Sequence, residues 1–340
     1  MTIRSLGAGF GIPVLSLILA ATTYAQTSRN DGAETYDILI HGGMVYSGDA
    51  APFVGDVAIR DDRIVFVGPI ATGKAKKTIE AKGLIVSPGF IDPHTHADGA
   101  LLSENPVARL VLPFMTQGVT TAFIGVDGGG SPEVARTLGS MAQSENPPAE
   151  RSGRDYGINF ATYVGFGSVR STVIGSSDRA PTAPEVEQMK SLVGKAMCQG
   201  ALGLSTGLFY APQSFARQDE VVALARVAAA AGGIYDSHLR DESSYSIGLL
   251  GAVDEAIAIG REAGIPVHIA HIKALGIDVR GQAPQVIGHI EAAQASGQTV
   301  TADQYPWSAS GTALSAALIP RWAQDGGRPA MLKRFADDQL

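Results

Sequence analysis

Residues 88–96 read PGFIDPHTH, an apolar run that ends in two histidines, His94 and His96, one residue apart. In an extended chain residues i and i+2 share a face, so both imidazoles can reach one metal ion. From this stretch onward, apolar runs alternate with helix-like stretches, which is typical of βα units around a parallel sheet. Functional groups of such barrels lie at the carboxyl ends of the strands, where these histidines are expected.

Strand candidates occur at seven places in this part of the chain, namely residues 85–91, 120–126, 159–164, 201–205, 233–238, 266–271 and 299–303. Helical patterns lie between them, for instance at residues 219–231 and 248–264. The predicted fold is therefore an α/β (β/α)8 TIM-type barrel that is one strand short. Either the eighth strand lies beyond residue 340, which we favour, or the barrel uses an unusual set of elements. The segment after Ser310 is expected to be loop and helix.

Two segments precede the predicted barrel, which is expected over residues 88–340. Residues 1–25 have the features of a secretory signal peptide, with Arg4 before an apolar run and a small-residue cleavage site before Gln26. The run is broken by glycines and Pro13 and is short for a membrane span of ~20 residues, so cleavage is favoured over anchoring. We therefore expect a periplasmic or secreted protein. Residues 26–87 contain short alternating runs between Gly and Asp turns, which predict a small β-sandwich layer with antiparallel strands.

Composition limits the classes of partner. The chain has 340 residues, of which 45% are hydrophobic and 17% charged, and a formal net charge of -7. Such a chain can bury a large core but offers no basic field to nucleic acid or an anionic membrane, so a small-molecule substrate is expected. Its single cysteine, Cys198, excludes an intramolecular disulfide and is expected to be a small buried residue. The oligomeric state stays open.

Two further histidines end predicted strands. His238 closes the fifth strand and His271 the sixth, so four of the seven histidines fall at the mouth of one predicted barrel. The others, His41, His268 and His289, are expected to be structural. Strands of one barrel converge at this end, and imidazoles that meet there form a metal site.

Asp127 is the candidate for an anionic metal ligand, because it follows the second strand and precedes a run of glycines that permits close backbone approach. The alternative is an Asp that caps the next helix. Asp303, at the end of the seventh strand, is a reserve candidate.

Longer motifs carry a resemblance to a known family. They are the HTH pair, QGVTT at 117–121, GALGLSTGLFYAP at 200–212, SHLRDE at 237–242, HIK at 271–273 and TADQYP at 301–306. From residue 36 onward the chain resembles the N-acyl-D-amino-acid deacylases, or D-aminoacylases, of the amidohydrolase superfamily. The later motifs separate this family from the wider superfamily, which the HTH pair alone does not.

The resemblance implies a metal-dependent hydrolase of a linear amide that uses one or two zinc ions and acts on N-acyl-D-amino acids. It places zinc ligands at His94, His96, His238 and His271. It places substrate contacts at Tyr210, Lys273 and Tyr305, the last two near the substrate carboxylate. A cation and phenols beside a metal are also what such a carboxylate requires. The D stereochemistry follows from the resemblance alone, and the acyl group and side chain stay open.

The chain departs from the family pattern in two places. Asp127 stands where the family's zinc proteins have a cysteine, and because carboxylate is a harder ligand than thiolate, Mn or Co become further candidates. The family's general acid/base Asp and a substrate-binding Arg would lie beyond residue 340, as would the C-terminal strands of the β layer. The catalytic residue is therefore unknown within this chain.

Two alternatives remain from the sequence. A cyclic-amide or isoaspartyl-dipeptide hydrolase of the same superfamily usually needs a carboxylated lysine on the fourth strand, and residues 201–205 contain no lysine. The other alternative is a truncated, non-catalytic product that binds metal without turnover. The DNA after codon 340 would test this second alternative, because a frameshift scar or an early stop there would support truncation.

Overall fold

A computed structural model describes residues 35–142 and 156–337, and the predicted signal peptide lies outside these ranges. The chain divides into two compact units between Pro88 and Gly89. Within the described ranges, no helix combines the length and apolar character needed to cross a bilayer.

The first unit contains one five-stranded sheet. Its strands are β1 (Thr35–Val45), β2 (Phe53–Arg60), β3 (Arg63–Gly68), β4 (Lys74–Glu80) and β5 (Ile85–Val86). The first three pair antiparallel as predicted, whereas β4 and β5 join β1 in parallel. The sequence did not predict β4, because KAKKTIE has no alternation of apolar and polar residues and six of its seven side chains are exposed.

The second unit contains parallel strands at all seven predicted places. They are β6 (Phe90–Asp92), β7 (Val119–Ile124), β8 (Asn159–Thr162), β9 (Val164–Gly165), β10 (Gly203–Gly207), β11 (Ile234–His238), β12 (Val267–Ile269) and β13 (Val300–Ala302). One sheet has the order β6-β7-β8 and the other β13-β12-β11-β10-β9. The strands β8 and β9 are two halves of one position, interrupted at Tyr163. The α/β barrel prediction is therefore confirmed in its strand order and direction.

The predicted first strand, residues 85–91, is in fact two strands. Its first part, β5, pairs with β1 in the first unit, and its last part belongs to β6 in the second unit. Pro88 and Gly89 separate them, since proline lacks the N–H that a continuous ladder needs. A Cβ on Gly89 would lie 2.1 Å from the Thr120 side chain, so only glycine fits at this break.

Helices connect the strands of the second unit. They are α1 (Asp98–Leu101), α2 (Pro106–Arg109), α3 (Leu112–Met115), α4 (Val134–Ala142), α5 (Phe166–Ile174), α6 (Ala183–Cys198), α7 (Gln218–Ala230), α8 (Gly248–Ala263), α9 (Ala283–Ala295), α10 (Leu314–Leu318) and α11 (Gly327–Phe335), with 3₁₀ turns at Gln213–Phe215 and Arg321–Gln324. The predicted helices at 219–231 and 248–264 are α7 and α8, and the segment after Ser310 is loop and helix as expected.

The larger hydrophobic cluster of the second unit lies between these helices and the strands β9 to β13, and a smaller one packs around β7. Leu249, Val253 and Ile257 recur at helical spacing along α8 and are buried, which places one apolar face of that helix on the sheet. Gly264 ends the helix in a left-handed conformation with φ 68°.

Cys198 corrects one prediction. It is the last residue of α6 and is exposed, so the expectation of a buried residue is wrong. The buried residues of α6 are Met189, Val193 and Ala196, which share one face. Cys198 lies two residues beyond Ala196, about 200° further around the helix, and so falls outside that face.

Candidate metal centre

Asp127 lies at the centre of the site, with four imidazoles around its carboxylate. The Oδ1 atom lies 3.3 Å from His94 Nε2, 3.3 Å from His238 Nδ1 and 3.9 Å from His271 Nε2. The Oδ2 atom lies 3.4 Å from His96 Nε2. All five residues predicted from the sequence as metal ligands therefore come together. His96 is the most open of them, with 70% of its side chain exposed.

The backbone turns sharply at two of these residues. Asp127 has φ 54° and His271 has φ 36°, the left-handed region that residues other than glycine seldom adopt. Each residue follows a strand, β7 and β12 respectively, so the turn directs its side chain across the end of the sheet. Such strained residues cluster at functional sites, where the surrounding structure holds them in place.

Gln213 fixes the loop that carries Asp127. Its amide nitrogen donates to the Asp127 carbonyl at 2.8 Å, and its amide oxygen accepts from the Gly207 N–H at 2.8 Å. Gly128 has φ 70°, and a Cβ there would lie 2.0 Å from the Gln213 Oε1 atom. The glycines after Asp127 therefore allow close approach, as predicted, but the partner is Gln213, which the sequence did not reveal.

Three atoms of the site fit a bound cation. His94 Nε2, Asp127 Oδ1 and His238 Nδ1 are buried and have no hydrogen-bond partner among the described residues. Buried polar atoms ordinarily have such a partner, so three that face one another point to a shared ion. Nitrogen and carboxylate donors of this kind suit a divalent metal such as zinc.

Ligand atoms come within 4.8 Å of one another in two sets, His94 with Asp127 and His271, and His238 with Glu242 and His271. His271 belongs to both sets. The exposed Cys198, at the end of α6, belongs to neither.

Burial and neighbouring charges shift the pKa values of the site residues in opposite directions. Burial alone would raise the pKa of Asp127, but the surrounding imidazoles hold it well below its usual range. Burial alone would lower the pKa of His94, but the Asp127 and Asp236 carboxylates raise it to about 10. Burial lowers the pKa of His238, which keeps that ring neutral. A metal must displace a proton from an imidazole to bind it, so a divalent cation here would take the place of the proton on His94.

Asp236 contacts the His94 ring at Nδ1, on the side away from Asp127. The sequence did not reveal this role. Asp236 is fully buried on β11, and its two carboxylate oxygens lie 3.2 and 3.1 Å from His94 Nδ1. This contact holds a proton on Nδ1, so Nε2 is the atom that would lose its proton and bind the metal. The available signal was its position two residues before His238, on the same face of one strand.

Lys273 and Tyr305, predicted to lie near a substrate carboxylate, are neighbours at one side of the centre. The Lys273 ammonium lies 5.4 Å from the Tyr305 ring centroid and 2.8 Å from His271 Nδ1. It also donates to the Glu242 carboxylate, which itself lies 3.2 Å from His271 Nδ1. Glu242, which the sequence analysis did not select, therefore neutralises Lys273.

The predicted ligands and substrate contacts line one cleft of about 1140 Å³. Tyr210 packs against His238, with ring centroids 4.7 Å apart, and burial raises the pKa of its hydroxyl to about 12. Its hydroxyl accepts a hydrogen bond from Thr312 at 3.3 Å. Apolar and aromatic side chains form the remaining walls, including Phe209, Tyr245, Trp307, Leu318 and Trp322.

Asp303 and the remaining histidines belong to neither ligand set among the described residues. The Asp303 carboxylate accepts from the His271 backbone N–H and lies 2.8 Å from His268 Nε2, so this reserve candidate supports His271 without joining the ligand sets. His41 pairs with Asp56 at 2.9 Å, and His289 pairs with an exposed carboxylate on α8 at 2.7 Å.

Comparison with known proteins shows what this chain is similar to. No protein-family model matches the chain. It is 35% identical to D-aminoacylase of Alcaligenes xylosoxydans xylosoxydans, over 84% of this chain and 60% of that protein. A crystal structure of D-aminoacylase matches with a TM-score of 0.65 and 34% identity, over 80% of this chain and 59% of that one. The chain is therefore similar to D-aminoacylase in both sequence and fold.

Other D-aminoacylase relatives carry metals. The N-acyl-D-glutamate deacylase of Bordetella bronchiseptica, solved with zinc and a phosphonate mimic of the tetrahedral intermediate, has a TM-score of 0.67 and 31% identity, over 81% of this chain and 59% of that one. Another D-aminoacylase structure has a binuclear metal centre. A D-hydantoinase, at 18% identity and a TM-score of 0.55, shares the fold alone. The present chain spans only 60% of the length of the curated D-aminoacylase.

Proposed function

We propose that this chain forms the metal-binding barrel of a hydrolase that deacylates N-acyl-D-amino acids. The observation that carries the proposal is the convergence of four imidazoles on Asp127 beside the Lys273–Tyr305 pair. The names of the relatives, D-aminoacylase and N-acyl-D-glutamate deacylase, supply the linear amide and the D configuration.

His94, His96, Asp127, His238 and His271 would hold the metal. When bound, a divalent ion supplies a Lewis acid that lowers the pKa of water and polarises a carbonyl. Zinc is favoured because a relative binds it. Asp127 offers oxygen in place of the family's thiolate, which also admits Mn or Co. The two overlapping ligand sets allow one ion or two.

The substrate carboxylate would bind Lys273 and Tyr305. Lys273 already pairs with Glu242, so a substrate carboxylate would share the ammonium with that side chain. Tyr210 lies against His238 on another side of the centre, where its hydroxyl can donate to the substrate. The aromatic walls of the cleft exclude water from the bound amide and strengthen these polar contacts.

The rival hydrolases that bridge two metals through a carboxylated lysine are disfavoured by the fourth strand position. β10 (Gly203–Gly207) contains no lysine. The one lysine that lines the described cleft, Lys273, follows β12 and pairs with Glu242.

The test is an assay of the purified full-length protein, including any residues encoded after codon 340, with N-acetyl-D-amino acids and their L enantiomers. We expect hydrolysis of the D forms, loss of activity with chelator, and recovery with zinc, manganese or cobalt. Activity that survives complete removal of metal would refute the proposal. Tight metal binding without any turnover would favour the non-catalytic alternative. His94→Asn should lose the metal-dependent activity, whereas its matched control, His289→Asn, should keep it, because His289 pairs at the surface with Asp254.

We also propose that the enzyme is exported. Arg4, the apolar run after it and the small residues before Gln26 support a cleaved signal peptide. Expression in a bacterium that secretes proteins, followed by N-terminal sequencing, should give a mature chain beginning near Gln26. Recovery of the uncleaved chain in the membrane fraction would contradict this.

A further inference from the structure

Arg321 is a cation in the wall of the cleft that forms no direct ion pair with an acidic side chain among the described residues. It lies half-buried in the turn Arg321–Gln324. One guanidinium nitrogen, Nη2, donates to the Arg240 carbonyl at 3.0 Å. The guanidinium carbon lies 5.7 Å from the Phe209 ring centroid. An arginine has five N–H donors, so most of this group remains available to a ligand.

The nearby acids are already engaged. Glu255 accepts from Arg240 Nε at 2.8 Å, and Glu242 pairs with Lys273. Asp241 accepts backbone N–H groups of the loop that follows it, including that of Ser243 at 2.9 Å. Burial and the neighbouring Arg240 lower the pKa of Arg321, and the Asp241 and Glu255 carboxylates oppose this only in part. A guanidinium nevertheless stays charged in proteins.

Arg321 and Lys273 are the two lysine or arginine side chains that line the described cleft, and they lie at different sides of the centre. Arg321 contacts residues that follow β10 and β11, whereas Lys273 and Tyr305 follow β12 and β13. The Phe209 ring that touches Arg321 lies 6.0 Å from the His238 ring. A ligand seated at the metal centre can therefore extend toward either cation.

A half-buried cation without a direct ion pair favours an anion, and the planar fork of a guanidinium matches a carboxylate in particular. We propose that Arg321 binds a second carboxylate of the substrate, carried either by the amino-acid side chain or by the acyl group. This inference rests on the proposed function for the nature of the substrate. It makes dicarboxylate N-acyl amino acids the preferred class.

The two tryptophans of the chain, Trp307 and Trp322, both line the cleft, so intrinsic fluorescence reports on ligand binding. The zinc-loaded protein would be titrated with three compounds: N-acetyl-D-leucine with one carboxylate, N-acetyl-D-glutamate with a second on the side chain, and N-succinyl-D-leucine with a second on the acyl group. Calorimetry would repeat each titration, because Trp322 adjoins the substituted residue.

We expect at least one dicarboxylate to bind about tenfold more tightly than N-acetyl-D-leucine, as one charge-assisted contact allows. Arg321→Gln should remove that advantage and leave the Kd of N-acetyl-D-leucine within about twofold, a change too small for a lost charged contact. Arg321→Lys should retain part of it. Arg226→Gln, an exposed arginine on α7 outside the cleft, is the control. The compound that loses affinity identifies the source of the second carboxylate.

Two outcomes would overturn the inference: no preference for either dicarboxylate, or an equal loss for all three compounds in Arg321→Gln. Thermal unfolding of each variant separates a binding defect from a folding defect. Binding does not require turnover, so a protein that hydrolyses nothing can still support the role of Arg321. Conversely, hydrolysis of N-acetyl-D-leucine without a dicarboxylate preference would leave the proposed function intact and reject this inference.

Discussion

His94 is held between two carboxylates, with Asp236 on one side and Asp127 on the other. Its Nδ1 atom lies 3.1 Å from Asp236 Oδ2, and its Nε2 atom lies 3.3 Å from Asp127 Oδ1. Asp236 is completely buried, so its charge is compensated chiefly through this ring. The pair fixes both the orientation and the tautomer of His94.

Replacing Asp236 by Asn should therefore weaken metal binding. The amide keeps the shape of the side chain but loses the charge that holds the Nδ1 proton, and such outer partners contribute about 10–100-fold to metal affinity. Competition with a zinc-binding dye would measure the change. Asp254→Asn, at an exposed carboxylate that pairs with His289, should leave affinity unchanged. Equal metal affinities in the two variants would show that Asp236 does not support metal binding.

The central carboxylate should determine which metal is retained. Asp127→Cys replaces oxygen by thiolate, so we expect stronger retention of zinc relative to manganese. Asp127→Ala should lose both metals, because the buried imidazoles then face one another without their shared anion. Metal analysis after dialysis would measure both results. The exposed variant Asp254→Cys controls for zinc bound by an added surface thiol, and unchanged zinc-to-manganese selectivity in Asp127→Cys would contradict the expectation.

The sequence revealed the metal ligands because local rules position them. A period of two places His94 and His96 on one face, and the carboxyl ends of the barrel strands bring His238, His271 and Asp127 together. Each of these residues follows or closes an apolar run, which is visible without knowledge of the tertiary structure.

The supporting residues could not be found in this way. Asp236 lies 142 residues from His94, and Gln213 lies 86 residues from Asp127, so their roles depend on which strands become neighbours. The parallel strand β4 was missed for a related reason. Its side chains are mostly exposed, so backbone pairing with β1 defines it rather than a hydrophobic pattern.

The start of α6 should make stability depend on pH. Arg179 and the Thr182 N–H lower the pKa of Glu185 from 4.5 to about 2. A carboxyl group whose pKa is lowered by folding stabilises the protein above its ordinary pKa and loses that contribution as pH falls through the folded value. Glu185→Gln should therefore lower the urea midpoint at pH 7, and the difference from wild type should shrink below pH 4.5.

Glu187→Gln, on the same helix at an exposed position, is the control and should change the urea midpoint little. A Glu185 effect that does not change with pH would contradict this assignment.

The loop after Asp127 should tolerate a methyl group at one glycine and not at its neighbour. Gly128 has φ 70°, and a Cβ there would lie 2.0 Å from Gln213 Oε1. At Gly129 the φ angle is ordinary, and the nearest atom to an added Cβ, the Val126 carbonyl oxygen, is 3.3 Å away. Gly128→Ala should therefore displace Gln213, release the Asp127 carbonyl and lower both thermal stability and zinc affinity, with a stability loss of about 1–3 kcal/mol from backbone strain.

Gly129→Ala should change both quantities much less, since the Val126 carbonyl can shift by a few tenths of an ångström. Thermal unfolding with and without zinc, on both variants, measures the two effects together. If Gly128→Ala bound zinc as tightly as Gly129→Ala, the hydrogen bonds of Gln213 would not be what positions Asp127. If both variants lost zinc equally, the loop as a whole, rather than the contact at Gly128, would set the geometry of the centre.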